Sequence, residues 1–188
     1  MKKKKTGLLI IVLLVTLQWS LPVLAEQAYI SDVVVTNTRD DLLVYFSVYD
    51  CFTEDLKGAI ESGIETTFTF FIRLYRKSDA LWDTRIIDME VQHSIRYDTL
   101  KQVYEVRLSE QDNQVKTMKS FEEAQKLMAE VVSLKIMPLK NLEKGARYQL
   151  RIMAELDKIK LTLYLHHVLF FLSLWDFETD WYTIDFRY

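Results

Sequence analysis

Apolar side chains recur at every second position between Ile64 and Arg76. Ile64, Thr66, Phe68, Phe70, Ile72 and Leu74 share one side of an extended chain, and Glu65, Thr67, Thr69, Phe71, Arg73 and Tyr75 share the other. Side chains alternate across a strand, so this period of two predicts a long β-strand with one greasy face. Such a strand needs neighbours in a sheet and a second layer to cover it.

The flanking segments supply both. Tyr29 to Asn37 and Leu42 to Tyr49 are rich in Val, Tyr and Phe and are separated by polar Thr38 to Asp41, which predicts two strands joined by a turn. Leu42 to Tyr49 carries apolar residues on both faces, the pattern of a central strand covered on each side. Thr53 to Ser62 changes period and predicts a helix, with Thr53 as N-cap, Glu54 and Asp55 in the first turn and Gly63 closing it. Ile86 to Tyr97 and Leu100 to Leu108 alternate again around an Asp98-Thr99 turn, and short connections favour an antiparallel meander with the long strand. Ser120 with Glu123 forms a capping-box pattern for a helix bearing Phe121, Ala124, Leu127, Met128 and Val131. Val132 to Leu139 predicts a strand that Pro138 confines to an edge or turn, and Tyr148 to Leu156 a half-buried strand.

Towards the end of the chain, Leu161 to Trp175 is strongly apolar. From Trp175 the odd positions Phe177 and Trp181 are aromatic, whereas from Tyr182 the even positions Ile184, Phe186 and Tyr188 carry the apolar side chains. A parity switch inside extended chain is what a β-bulge produces, since one extra residue turns every later side chain over. With no repeat or linker in view, these elements predict one mainly β domain at 26–188: an immunoglobulin-like antiparallel β-sandwich with two short helices in its connections.

The N-terminus changes the picture of where this domain resides. Lys2 to Lys5, an uncharged apolar run from Gly7 to Leu17 and the small residue Ala25 have the layout of a signal peptide cut after Ala25. An apolar run of that length is short for a membrane span, which takes roughly twenty residues; an uncleaved anchor is the alternative. The expected location is the periplasm or another extracytoplasmic part of the envelope. The leader holds four of the 24 basic residues and no acidic one, leaving 20 against 27 and a net charge of −7. That sign argues against nucleic acid and anionic lipid as partners.

Candidate chemistry is sparse. Cys51 is the sole cysteine, so no disulfide can close within the chain, and it reads as a buried small hydrophobe. His93 falls on the apolar face of its strand and reads as a hydrogen-bonded core histidine. The adjacent His166 and His167 would point to opposite faces and could not chelate one ion together. Asp176, Glu178 and Asp180 resemble the first half of a calcium loop, but Trp181 and Arg187 stand where that loop needs glycine and glutamate. No nucleophile elbow or phosphate loop is present, and no cofactor is implied. Four side chains remain as partner-binding candidates, Arg76, Trp82, Trp175 and Trp181, because Trp and Arg dominate interaction hot spots. Trp82, in a polar loop, is the one expected to face solvent.

The strings GIESGIETTFTFFIRLYR, WDTR, HSIRYDTLKQVYEV, SFEEAQKLM and LFFLSLWDFETDWYTI occur in that order. Together they resemble an uncharacterised family of exported bacterial proteins, the domain of unknown function 4390, from about Tyr29 to about Tyr182. The resemblance implies no activity, cofactor or catalytic residues. Genes of that family often lie beside one for a membrane sensor histidine kinase, which implies an envelope role. The reading that follows is a non-enzymatic, protein-binding accessory module with an envelope or membrane protein partner and no membrane span after cleavage. Two alternatives stay open: a carrier or sensor of an amphiphile using Leu161 to Trp175 as a pocket wall, and an enzyme of unknown type. Intact-mass measurement on protein taken from the envelope is expected to give a chain starting at Glu26; a product retaining residues 1–25 would indicate the anchored form.

Overall fold

The computed structural model describes residues 27–78, 82–157 and 177–188. The leader with Ala25, the segment holding His166, His167 and Trp175, and Asp176 lie outside the described residues. The described chain forms nine strands and two helices: β1 (Tyr29–Asn37), β2 (Asp41–Tyr49), α1 (Glu54–Glu61), β3 (Thr66–Arg76), β4 (Thr84–Asp98), β5 (Val103–Leu108), β6 (Lys116–Met118), α2 (Phe121–Ala129), β7 (Glu130–Pro138), β8 (Arg147–Leu156) and β9 (Tyr182–Arg187). They build a mainly β sandwich of two antiparallel sheets, one of three strands in the order β1-β2-β7 and one of six in the order β6-β5-β4-β3-β8-β9.

The long alternating strand is β3, and it lies between β4 and β8. Its even face is closed to solvent: Thr66, Phe68, Phe70, Ile72 and Leu74 are all fully buried. Across the sandwich Phe70 meets Phe46 of β2 edge-on, with ring centroids 5.5 Å apart. Phe52, just past β2, bridges Phe68 at 5.0 Å and Phe121 of α2 at 5.7 Å, so one aromatic chain ties both sheets to a helix.

The first helix is held at both ends as its residues predict. Thr53 Oγ1 accepts the Leu56 N–H at 3.2 Å. Gly63, at φ +87°, carries the chain out of the helix while its N–H donates to Ile60 O and that of Ile64 to Ala59 O. Both bonds satisfy carbonyls that the helix end would otherwise orphan. The second helix lacks its expected cap. Ser120 Oγ donates to Glu122 at 2.9 Å and makes no bond to the helix backbone, so the Ser120–Glu123 capping box does not form.

Two further expectations are corrected. β2 is central in its sheet, but only Leu43 is buried on its second face; Tyr45 is half-buried and Tyr49 is exposed. The tyrosine hydroxyls explain this, because Tyr45 bonds Ser133 at 2.6 Å and Tyr49 donates to Asp32 at 2.5 Å, which keeps that face wet. β5 begins at Val103 rather than Leu100. The Asp98 carboxylate accepts the N–H groups of Leu100 and Lys101, each at 3.0 Å, and so holds those residues in the turn.

The C-terminal parity switch is a real irregularity. Glu155 of β8 faces Glu178, and Ile152 faces Tyr182, so four steps along the last segment match three along β8. Phe177 and Thr179 point inward before the extra residue, and Tyr182, Ile184 and Phe186 pack inward after it. β8 itself is more enclosed than half-buried, with Gln149 and Met153 of its second face also buried, because β3 and β9 flank it.

Truncating Phe70→Ala removes most of a fully buried ring and should cost about 3–5 kcal/mol. Phe71, half-buried on the opposite face, should lose markedly less on the same change. Denaturant midpoints of the two variants measure this, and equal losses would show that both faces of β3 are equally enclosed.

Candidate functional site

The outer face of the six-stranded sheet is the most distinctive surface among the described residues. Residues directly opposite on antiparallel strands share a face. One row therefore runs Asp88, Arg73, Arg151, Thr183 across β4, β3, β8 and β9; the next runs Arg85, Tyr75, Gln149, Asp185. Beyond them Arg147 faces Arg187, and the Lys77 N–H donates to Arg147 O.

Two arginines here are stacked on rings. The Arg73 guanidinium lies over the Trp181 ring at 4.5 Å, and that of Arg151 over Tyr75 at 4.5 Å. Arg73 Nε also donates to Asp88 at 3.1 Å, and Arg85 reaches the other oxygen of that carboxylate at 2.8 Å. Arg151 Nε donates to Gln149 Oε1 at 2.7 Å, and Gln149 donates in turn to Asp185 at 2.9 Å. The bulge before β9 is what turns Trp181 to this side, away from the core that Phe177 and Tyr182 enter.

The connection from β3 to β4 closes the upper edge of this face. Asp83 accepts from Lys77 Nζ at 2.7 Å and from the Ser78 N–H at 3.2 Å. The Lys77 hydrogen bond first, then that of Ser78, holds its carboxyl below the usual carboxylate range, and the Arg151 charge adds to this. Trp82 stands next to it, 81% exposed. The sequence-derived candidates thus divide. Trp181 belongs to this face, and Trp82 lies in the connection at its edge, next to Asp83. Arg76 does not, since alternation sends it to the other side of β3, where it pairs with Glu143. Trp175 lies outside the described residues. Arg73, Tyr75 and Arg151 were not among the candidates; their positions on polar strand faces were visible, but only the pairing register brings them together.

Two other groups are internal. His93 is fully buried and meets Phe70 edge-on at 4.8 Å. Its Nδ1 lies 3.0 Å from Met128 O at the end of α2, and its Nε2 lies 3.1 Å from Glu110 Oε1. Both ring nitrogens face oxygens, so the pair holds one proton between Nε2 and Oε1, and the unit clamps β4, the 3-10 turn Ser109–Gln111 and α2 together. Burial pushes the Glu110 carboxyl up, but the hydrogen bond and charge of His93 outweigh it and leave that carboxyl below its ordinary value. Glu110 Oε2 is buried with no hydrogen-bond partner among the described residues. Cys51 is buried, its Sγ 3.6 Å from Val48 O, and burial pushes its thiol up to about 12. It lines a cleft of about 370 Å³ between the end of β2 and α2, together with Asp50, Glu122, Lys126 and Glu130. Glu178 and Asp180 are exposed, as a solvated edge requires. Among the described residues no three His, Cys, Asp or Glu side chains gather so as to hold a metal ion. No helix of the described residues is long and apolar enough to cross a membrane.

Residues 25–185 match the family described as Domain of unknown function (DUF4390). The chain belongs to this family. No curated protein and no solved structure gives a significant match. For this DUF4390 domain, then, the geometry of its own surfaces must carry the functional reading.

Changing Glu110→Gln removes the carboxylate partner of His93 and should cost about 1–3 kcal/mol at neutral pH. Because the folded Glu110 carboxyl titrates below its unfolded value, its contribution is complete above the unfolded range and is lost as pH falls through the folded one. Denaturant melts of the wild type and the variant should therefore separate at neutral pH and converge in acid. A gap that stays constant into acid would show that Glu110 carries no such coupling.

Proposed function

We propose that this domain is a non-enzymatic protein-binding module of the bacterial cell envelope, exported by its leader, which docks a partner on the outer face of its six-stranded sheet. One observation carries this: an 81% exposed tryptophan, Trp82, lies in the β3–β4 connection, at the end of the sheet face that carries two arginine–aromatic stacks. Exposing an indole to water is unfavourable for a protein on its own, and interfaces draw most of their affinity from Trp, Tyr and Arg clusters of this kind. The stacks also hold the guanidinium groups in place before any partner arrives, so less side-chain entropy is lost on docking. A membrane sensor protein with an extracytoplasmic domain is the first partner to test.

Trp82 makes no contribution to the core, so Trp82→Ala should fold normally. Recovery of a specific envelope protein by the tagged domain from detergent-solubilised membranes, read by quantitative mass spectrometry, should fall about 30-fold in the variant, the loss expected of a hot-spot residue contributing about 2 kcal/mol. Identical recoveries with the wild type and the variant would overturn the proposed face, and no enrichment over an unrelated exported domain would overturn the protein-binding reading.

A further inference from the structure

The end of the outer face nearest the β3–β4 connection is basic in a chain that is acidic as a whole. Among the described residues Lys77, Arg73, Arg85, Arg147, Arg151 and Arg187 fall there, against Asp83, Asp88 and Asp185, an excess of three positive charges in a chain of net −3. The opposite end of the same face is acidic on balance among the described residues: Glu90 faces Phe71, Glu155 faces Thr69 and pairs with Glu178, and Asp157 accepts from Thr69 Oγ1 at 2.6 Å, while Arg96 and Arg107 there are paired with Glu105 and Glu65. Among the described residues the face is electrically polarised along the strands.

At the centre of the basic end, Arg73 and Arg151 are directly opposite each other on β3 and β8. Like charges in that relation repel. Their neighbours compensate them only in part: Asp83 feels the charge of Arg151 without pairing with it. Asp88 is divided between Arg73 and Arg85, and no carboxylate among the described residues forms an ion pair with Arg151, whose Nε is spent on the neutral Gln149. Stacking on Trp181 and Tyr75 restrains both guanidinium groups, and the terminal nitrogens of Arg151 make no hydrogen bond among the described residues. An incoming carboxylate would accept from both forks and remove the repulsion between them.

We infer, building on the protein-binding reading above, that the partner presents an acidic peptide segment whose carboxylates seat on the paired guanidinium groups of Arg73 and Arg151. A bilayer of anionic lipid is the poorer match. Trp82 is the single large apolar side chain exposed at this end among the described residues, whereas surface insertion uses several, and Asp83, Asp88 and Asp185 would meet headgroups of their own sign. Five of the six cations are arginines, whose planar fork reads carboxylates in a fixed geometry.

The test uses the exported chain and a fluorescein-labelled peptide of alternating Glu and Ser, with the Gln–Ser peptide and phosphatidylglycerol vesicles as parallel probes. Fluorescence anisotropy should show binding of the Glu peptide alone, weakened at least about tenfold by Arg73→Gln and by Arg151→Gln. Raising salt from about 0.05 to about 0.2 M should weaken it further, since a shorter screening length acts on an exposed charge match. Glu90→Gln, at the acidic end of the same face, should leave it unchanged. Both arginines lie outside the core, and unchanged denaturant midpoints would show that the variants fold. Equal binding of the Glu and Gln peptides, insensitivity to Arg151→Gln, or binding to the vesicles in preference to the peptide would each overturn the inference. Membrane recovery then separates the two readings. If the partner is lost with Trp82→Ala but retained by the double arginine variant, the acidic-segment inference fails and protein binding stands; if no envelope partner is enriched at all, both fail.

Discussion

The fold depends on one strand being asked to satisfy two environments at once. β3 has a neighbour along each edge, so its backbone polar groups are engaged in the sheet and only the alternation of its side chains remains to vary. Phe68, Phe70, Ile72 and Leu74 weld the two sheets together, with Phe70 against Phe46 at the contact between layers. The intervening Phe71, Arg73 and Tyr75 are then committed to the outer face. A slip of one residue would bury Arg73 and expose Phe70, so burial of the core fixes where the arginine stands. The site and the core are two sides of the same register.

Bulges adjust this rule where the chain needs them. In β1 the register shifts by one between Ser31 and Val34, around Asp32 at φ +54°, and inward packing passes from Ile30 to Val33 and Val35. In β7 the same happens around Ser133 at φ +59°, where Val131 gives way to Leu134 and Ile136. Both are edge strands of the small sheet, and a kinked edge is a poor template for pairing with another chain. The irregularity before β9 serves a different end, because it turns Trp181 towards Arg73 while Phe177 and Tyr182 stay with the core.

How far the sequence could be read follows from how local each cause is. Period-two burial, the Thr53 cap and the Gly63 turn are written within a few residues, and each was legible as an element of the right kind. The extra residue before β9 was legible too, since a parity switch needs no knowledge of the partner strand, but Trp181, grouped by parity with Phe177, faces the other side. The Ser120–Glu123 box was misleading because the Ser120 hydroxyl donates to the Glu122 carboxylate and accepts no helix N–H. The site was legible only in part. Trp82 announced itself by standing in a polar loop, but Arg73 and Arg151 are 78 residues apart and each looks like an ordinary solvent-facing strand arginine. Only the β3–β8 register makes them a pair. Likewise His93 could be read as a core histidine, while Glu110 and the Met128 carbonyl come to it from two other elements.

That arginine pair is also where local preference and structure disagree most. Two guanidinium groups opposite each other on adjacent central strands weaken the sheet, and a threonine or valine pair at those positions would strengthen it. The chain instead invests two aromatic rings, Gln149 and a shared Asp88 in holding the repelling groups side by side. By contrast, the arginines at the other end of the sheet meet carboxylates directly: Arg96 bonds Glu105 at 2.9 Å and Arg107 reaches Glu65 at 3.2 Å. The same protein therefore neutralises its arginines where they only cover surface and leaves one pair undercompensated on a rigid floor. Departures of this kind from local consistency concentrate at functional surfaces, where the missing counter-charge arrives with the partner.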